Sequence, residues 1–450
     1  MLDPLPIQPF TRPVRGEATL PGSKSITNRA LVLAALCDGP VTLTNALISE
    51  DTEIMVKALN ALGLKVTVDT ATKTMQVGGQ GGKIPAESAE LFVGNAGTAA
   101  RFLTALCAAA PRGVFKIDGV PQMRKRPMKG LIDALRAQGA NITCTGKEGF
   151  FPLTLEAHGL KGGDVTVDAK ESSQIFSALL MAAPLAKKDL TIHPIESDSE
   201  LRFVAMTIDL MQQFSHTASA YGGNSRTVTV TKTKTPYQFL STDYRVESDA
   251  TAASYFIALP IVVGGRISIP DYRPVLHPGF QGDVMFSLKL QVHGLISGVE
   301  TGGSAQRIQA GPKRAGITQN FRDFSDTFLT LAAIAPLLEG PTTITGIAHT
   351  RKQETDRVTG AYNELKKLGQ EVEQGEDWLK ITPRPLKPGV EIETYRDHRF
   401  AMSFAILGCH NLMGDDTSWL KIRNPDCCAK TFPDFFTVLE QVREQSHRDH

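Results

Sequence analysis

Three short stretches of this chain join small or polar residues to a cation. They are Gly22-Ser23-Lys24-Ser25, with Asn28 and Arg29 one turn on; Asn95-Ala96-Gly97-Thr98, with Arg101 following; and Ser172-Ser173-Gln174. Each opens an Ala/Leu-rich run of helical length. Such a start presents free backbone N–H groups and the positive end of a helix dipole, which together hold an anion. One such start reads as an ordinary N-cap. Three in register point instead to a ligand carrying phosphate or carboxylate groups. Further cations stand in Gly/Pro/Asp-rich loops beside helix starts: Arg124-Lys125-Arg126 before Pro127, then Arg351, Lys352, Arg357, Arg399 and Lys430. Taken singly, each reads as a solvated surface charge. Grouped, they look like a clamp for a small polyanion, in which arginine offers forked contacts to carboxylate or phosphate.

The elements that must position these residues recur along the chain. A small or polar cluster, an Ala/Leu-rich helical stretch, a Gly, Pro or Lys break and a β-branched run follow one another. Copies begin near Gly22, Gly94, Glu171, Glu247, Phe324 and Asp397. Their anchors Lys24, Gly97, Ser173, Asp249, Asp326 and His398 fall about 75 residues apart, the spacing of a duplicated supersecondary unit. The Ala/Leu stretches are apolar on nearly all sides and must be buried. Amphipathic segments at Thr52–Leu62, Met128–Gln138, Phe203–Phe214 and Thr359–Leu368 add a half-exposed helix to the unit. Three units closing around their buried helices, twice over, give two domains, with the change of domain expected around Tyr237 to Arg245. An open solenoid of six units is the less favoured assembly.

Composition narrows the partners. Lys and Arg number 48 against 47 Asp and Glu, a net charge of +1, so any positive field is local and suits a small substrate better than nucleic acid or a membrane surface. With 42% apolar and 21% charged residues the chain can bury large cores. Its purest apolar stretches, Ala178–Ala186 and Phe256–Val263, are far short of the roughly 20 residues of a membrane span. Asp3, Pro4, Pro6 and Pro9 break the pattern of a secretion signal, so a cytoplasmic location is expected. The cysteines Cys37, Cys107, Cys144, Cys409, Cys427 and Cys428 lack metal-ligand spacing and read as reduced small hydrophobes.

Leu20-Pro21-Gly22-Ser23-Lys24-Ser25 with Asn28 and Arg29, Gly94-Asn95-Ala96-Gly97-Thr98 with Arg101, and Arg126-Pro127 resemble the signatures of the 5-enolpyruvylshikimate-3-phosphate synthase (3-phosphoshikimate 1-carboxyvinyltransferase) family of enolpyruvyl transferases. So do Ser172-Ser173-Gln174, Glu354-Thr355-Asp356-Arg357, Asp397-His398-Arg399 and Ala429-Lys430-Thr431-Phe432-Pro433-Asp434, in order from about Gly16 to Phe436. The resemblance implies an α+β fold: a two-domain inside-out α/β barrel, or α/β prism, each domain three βαβαββ units with buried helices. Residues 23–243 would form the shikimate 3-phosphate side. Residues 1–22 and 244–450 would complete the phosphoenolpyruvate site.

The implied reaction transfers the enolpyruvyl group of phosphoenolpyruvate to the 5-hydroxyl of shikimate 3-phosphate by addition and elimination, releasing phosphate in the shikimate pathway of aromatic amino-acid synthesis. It needs a base for the hydroxyl, an acid for the methylene carbon and cations for the anionic groups. By resemblance Asp326 is the base, and Glu354 and Lys24 act at the phosphoenolpyruvate end. Lys24, Asn95, Gly97, Arg126, Gln174, Arg357, Arg399 and Lys430 would hold phosphoenolpyruvate. Lys24, Ser25, Arg29, Ser172, Ser173, Gln174, Ser199, Asp326 and Gln353 would hold shikimate 3-phosphate. No metal or other cofactor is expected, and the protein is expected to act as a monomer on these two small molecules.

The chain departs from the family at several points. Gln353 stands where Lys is usual, with Lys352 one position earlier, and a neutral amide grips phosphate less than a full charge does. Ser199-Glu200-Leu201-Arg202-Phe203 replaces a Ser-x-Pro-Tyr pattern, and His349 replaces a frequent Asn. Phe102 replaces Pro in the helix that borders the glyphosate pocket, while Gly97, which suggests sensitivity to that herbicide, is kept. Two rivals fit less well. The sister transferase acting on UDP-N-acetylglucosamine uses a loop cysteine, and Gly113–Gly130 has none. A silent anion binder would need the cations but not both Asp326 and Glu354.

Overall fold

The computed structural model describes residues 1–168, 172–195, 201–216, 218–220, 227–272, 281–298 and 305–448. The chain divides into two compact units, one of Gly22–Glu247 and one of Met1–Pro21 with the described chain from Ser248 on.

The Gly22–Glu247 unit holds three four-stranded mixed sheets. The second repeat displays the plan. Ser88–Phe92 runs parallel to Gly113–Asp118 across the helix Gly97–Ala109, and Gly113–Asp118 pairs antiparallel with Leu153–Ala157, which pairs antiparallel with Asn141–Cys144 after the helix Lys129–Ala137. That order is β-α-β-α-β-β. Gly163–Val167 begins the third copy beside Leu190–Pro194. In the first copy the parallel edge strand is Asp243–Arg245, far along the chain, laid against Pro40–Thr44. This late strand buries Tyr244 in the unit's own core and explains why the chain changes unit only at Glu247–Ser248, a few residues beyond Asp243.

The other unit repeats the plan with Val14–Glu17 parallel to Gly265–Pro270 and Thr318–Asn320 parallel to Thr342–Thr345. Its last sheet has three strands: Val390–Ile392 parallel to Leu420–Ile422, and Leu5–Pro6 antiparallel to the latter. Two of its repeats therefore draw a strand from the start of the chain, so the repeats are permuted rather than self-contained.

The Ala/Leu stretches form the expected buried helices. Lys24–Leu36, Gly97–Ala109 and Ser173–Ala182 pack within one unit; Ala250–Val263, Phe328–Ile334 and His398–Gly408 pack within the other. Every residue of Gly97–Ala109 is buried, as is Ala250–Val262. Alanine's small side chain lets such helices approach, and Leu33, Leu103 and Leu179 fill the spaces between them. Truncating one of these leucines to alanine costs about 2–5 kcal/mol. Strands outside them alternate, Phe115 and Ile117 inward and Val114 and Lys116 outward. The amphipathic segments form helices at Glu50–Ala61, Lys129–Ala137, Leu201–Gln213 and Arg357–Lys367. Among the described residues no helix is long and apolar enough to cross a membrane, and all six cysteines are free thiols.

Candidate active site

In the unit that includes Ser248 onward, loops entering three helices bring together a dense cluster of charges. Asp326 sits just before Phe328–Ile334; Glu354 and Arg357 flank the start of Arg357–Lys367; Asp397 and Arg399 open His398–Gly408; Lys430 ends a short turn. Arg357 is almost fully buried. Its Nε donates to Asp397 Oδ2 at 2.7 Å, its Nη1 to Asp326 Oδ1 at 2.9 Å and its Nη2 to Glu354 Oε2 at 2.8 Å. Its Nη1 also donates to the Gln353 side-chain oxygen. Arg399 Nη2 donates to Asp326 Oδ2 at 2.6 Å, and Lys430 Nζ lies 3.3 Å from Glu354 Oε1. Three cations thus meet three carboxylates. Burial opposes the positive charge of Arg357, but Asp397, Glu354 and Asp326 outweigh it and hold its pKa above the ordinary value. Arg399 behaves likewise, burial being outweighed first by Asp326. Removing one member of such a set leaves a buried charge unmatched, at about 3–5 kcal/mol. Asp397 is fully buried and caps its helix by accepting from Arg399 N at 3.0 Å, so one carboxylate holds the Arg357 guanidinium and the Arg399 backbone.

The Gly22–Glu247 unit carries a second set. Lys24 Nζ pairs with the buried Asp51 at 3.2 Å. Gly22, two residues earlier, lets the chain pass against the Asn45 carbonyl oxygen, from which a Cβ there would lie 1.9 Å. The helices starting at Lys24 and Gly97 have no side-chain cap. At the third start Ser172 accepts from Gln174 N at 3.3 Å, an ordinary cap. The Arg126 guanidinium hangs over the Gly97 helix start, within 2.8 Å of where a Cβ on Gly97 would stand. Buried Arg126 Nη1 in this unit and Arg399 Nε in the other find no hydrogen-bond partner among the described residues. Buried charged donors are costly to leave unmatched, so each is disposed to pair with an anion's oxygen.

Of the residues that the sequence singles out, Asp326, Gln353, Glu354, Arg357, Arg399 and Lys430 lie in the first cluster, and Lys24, Gly97, Arg126 and Gln174 lie at helix starts of the Gly22–Glu247 unit. Arg351 is no part of the clamp: it holds Asp356 at 2.8 Å, together with the carbonyls of Gly375 and Glu376, and so fixes the loop carrying Gln353 and Glu354. Arg124 pairs with Asp118 at the surface through Nε at 2.9 Å. Arg29 lies in the core, donating to Thr207 Oγ1 at 2.8 Å and Ser177 Oγ at 3.1 Å, with Phe102 and Phe203 rings 5.2 and 5.7 Å from its guanidinium. Burial pushes its pKa down to about 9. Phe102, the departure from the family pattern, thereby forms one face of the Arg29 pocket. Gln174 is held at both ends, accepting from Arg101 Nη1 and donating to Thr98 Oγ1, each at 3.1 Å. Arg101 also donates to the Gly97 and Pro127 carbonyls, tying the helix start to the Arg126 loop. Ser25, Ser173 and Asn95 lie at or beside the helix starts, and Ser199 lies outside the described residues. Sequence reasoning passed over Asp51 as an ion-pair partner, although an acidic first turn after Ser49 was its signal, and Asp283, which carries no motif. Asp283 is buried, accepts from Thr251, and is pushed up to about 8 by burial and then by Asp326. Among the described residues no three His, Cys, Asp or Glu side chains converge as metal ligands.

Two three-repeat units whose helix starts and loops gather arginine, lysine and paired carboxylates define a protein that handles small polyanions. The family model described as EPSP synthase (3-phosphoshikimate 1-carboxyvinyltransferase) matches residues 10–439, and the chain belongs to that family. It is 56% identical over 448 residues to the 3-phosphoshikimate 1-carboxyvinyltransferase of Opitutus terrae, covering 99% of each chain. It is 40% identical over 446 residues to that of Nostoc punctiforme, covering 99% of this chain and 100% of the relative. Among solved structures, the EPSP synthase of Acinetobacter baumannii superposes with a TM-score of 0.79 over 98% of both chains at 24% identity, a likeness of fold.

Proposed function

We propose that this protein transfers the enolpyruvyl group of phosphoenolpyruvate to the 5-hydroxyl of shikimate 3-phosphate and releases phosphate, in the shikimate pathway. The observation that carries the reading is the pairing of Asp326 and Glu354 with Arg357, Arg399 and Lys430, two carboxylates held among cations. As the hydroxyl oxygen bonds to C2, Asp326 takes its proton, and C3 is protonated to give a tetrahedral intermediate. Loss of a proton from C3 and of phosphate from C2 then restores the alkene. Glu354 and Lys24 are assigned the proton traffic at C3 and the leaving phosphate. A carboxylate paired on both oxygens is a weak base. When the substrate's own carboxylate draws Arg357 and Arg399 to itself, Asp326 is released to accept the proton, so arrival of phosphoenolpyruvate readies the base.

Arg126, the Gly97 amide, Asn95 and Gln174, with Arg357, Arg399 and Lys430, hold phosphoenolpyruvate in this reading. Ser25, Ser172, Ser173 and Ser199, with Gln353, hold shikimate 3-phosphate, and Arg29, expected beside them, braces the start of its helix from the core. The Gly22–Glu247 unit accordingly supplies the shikimate 3-phosphate side, and the other unit completes the phosphoenolpyruvate site. In this reading the protein acts as a monomer, and the proposed location is the cytoplasm. Phosphate release from phosphoenolpyruvate tests the reading, with shikimate 3-phosphate and UDP-N-acetylglucosamine as alternative acceptors. Release with shikimate 3-phosphate alone is expected; release only with the sugar nucleotide, or with neither, overturns it.

A further inference from the structure

The helix Arg357–Lys367 turns one buried face, Arg357, Gly360, Ala361 and Glu364, toward the segment that delivers Asp397 and Arg399. Its first turn grips that segment through Arg357 and Asp397. Its last turn grips it again through Glu364, a fully buried carboxylate with no place in the reaction. Glu364 Oε1 accepts from Tyr395 Oη at 2.6 Å, and Oε2 accepts from the Glu393 backbone N–H at 3.0 Å. Between them, Gly360 admits the Phe400 and Tyr395 rings, which would lie 2.5 and 3.2 Å from a Cβ at that position.

The segment so gripped is strained. Tyr395 and Arg396 adopt consecutive left-handed conformations, φ 55° and 57°, which side-chain-bearing residues avoid at a cost of about 1–3 kcal/mol each. Asp397 and Arg399 follow immediately. Relaxing the turn would re-aim the carboxylate that orients Arg357 and the guanidinium that faces Asp326. Lys367 also donates to both Glu364 oxygens, Oε1 at 2.9 Å and Oε2 at 2.8 Å, and so neutralises the buried carboxylate from a side chain that is 45% exposed.

We propose that Glu364 is a positioning residue for the reaction: through the Tyr395 hydroxyl and the Glu393 amide it clamps the left-handed Tyr395–Arg396 turn and so sets the direction of Arg399 and Asp397. The inference rests on the assignment of Arg399 to phosphoenolpyruvate. Its signature is therefore selective. Loosening the clamp weakens the grip on phosphoenolpyruvate before it touches shikimate 3-phosphate.

The test uses the whole protein and three variants. Tyr395→Phe removes one clamp hydrogen bond while Glu364 keeps its remaining partners. Glu364→Ala removes the clamp. Lys366→Met removes an exposed lysine of the same helix turn that donates to Tyr362 instead. Expected are a rise in KM for phosphoenolpyruvate on the order of fivefold for Tyr395→Phe and more for Glu364→Ala, with KM for shikimate 3-phosphate within twofold, and wild-type constants for Lys366→Met. An unchanged KM for phosphoenolpyruvate in folded Tyr395→Phe overturns the proposal. So does an equal rise in both KM values, which would mark general loosening. Wild-type protein inactive with shikimate 3-phosphate would instead sink the functional reading beneath it, and that is seen before any variant is compared.

Discussion

Replacing Gly97 with alanine adds one methyl group at the point where a helix start and an arginine converge. The added carbon would stand 2.8 Å from Cζ, Nη1 and Nη2 of Arg126, and ordinary contact begins at 3.4 Å. The guanidinium is the far end of a flexible side chain, so it yields and the helix does not. Gly97 is not among the positive-φ glycines, so alanine fits the backbone and adds about 0.4–1 kcal/mol of stability by restricting the unfolded chain. The cost falls on the ligand. A charge-assisted contact between arginine and an anion contributes about 1.5–3 kcal/mol, and each 1.4 kcal/mol is a factor of ten. Partial to complete loss of the Arg126 contact therefore raises KM for phosphoenolpyruvate about tenfold to a hundredfold, while Tm holds or rises slightly. The assay is steady-state phosphate release against phosphoenolpyruvate at saturating shikimate 3-phosphate, beside a thermal melt. A KM within twofold of wild type would refute the placement of Arg126 over the anion, and a fall in Tm would refute the claim that the helix absorbs the methyl without strain.

Asp326→Asn keeps the size of the side chain and removes the base; kcat should fall about a hundredfold to ten-thousandfold, and an unaltered kcat would take Asp326 out of that role. Gln353→Lys trades an acceptor for Arg357 Nη1 for a second cation; KM for shikimate 3-phosphate should drop severalfold and become more sensitive to added salt, whereas an increase would mean that the Arg357 contact matters more than the charge. Burial and then Asp326 hold the Asp283 carboxyl at about 8, far above its unfolded value, so the folded state binds the extra proton between about pH 4 and 8 and its stabilisation drains away as pH rises through that window. Asp283→Asn, which still accepts from Thr251, should lessen the decline in Tm between pH 5 and 8 by about 2 °C or more, and parallel Tm profiles for the two proteins would show that Asp283 is not the titrating group.

The buried helices were legible because alanine and leucine at nearly every position leave a helix no polar side to expose, and Gly97–Ala109 has none exposed. The anion-binding starts were legible for a similar local reason: Gly22-Ser23-Lys24-Ser25 and Gly94-Asn95-Ala96-Gly97 show their chemistry within a single turn of helix. What could not be read is the fate of each cation, because an ion pair depends on which chain segments the topology brings face to face. Arg351 and Arg357 are six residues apart in like surroundings. Yet Arg351 is spent on Asp356 and two loop carbonyls, whereas Arg357 reaches Asp397 and Asp326 across the fold. Arg29 stands beside a helix start as Lys24 does, but one further turn carries its guanidinium into the core against Thr207 and Phe102. The same limit hid the origin of two edge strands, since Val14–Glu17 and Leu5–Pro6 find partners at Gly265–Pro270 and Leu420–Ile422, hundreds of residues away. Motif and spacing name the groups that can bind an anion; long-range pairing decides what each has left to do it with, and Arg126 Nη1 and Arg399 Nε are among the buried N–H groups that find no hydrogen-bond partner among the described residues.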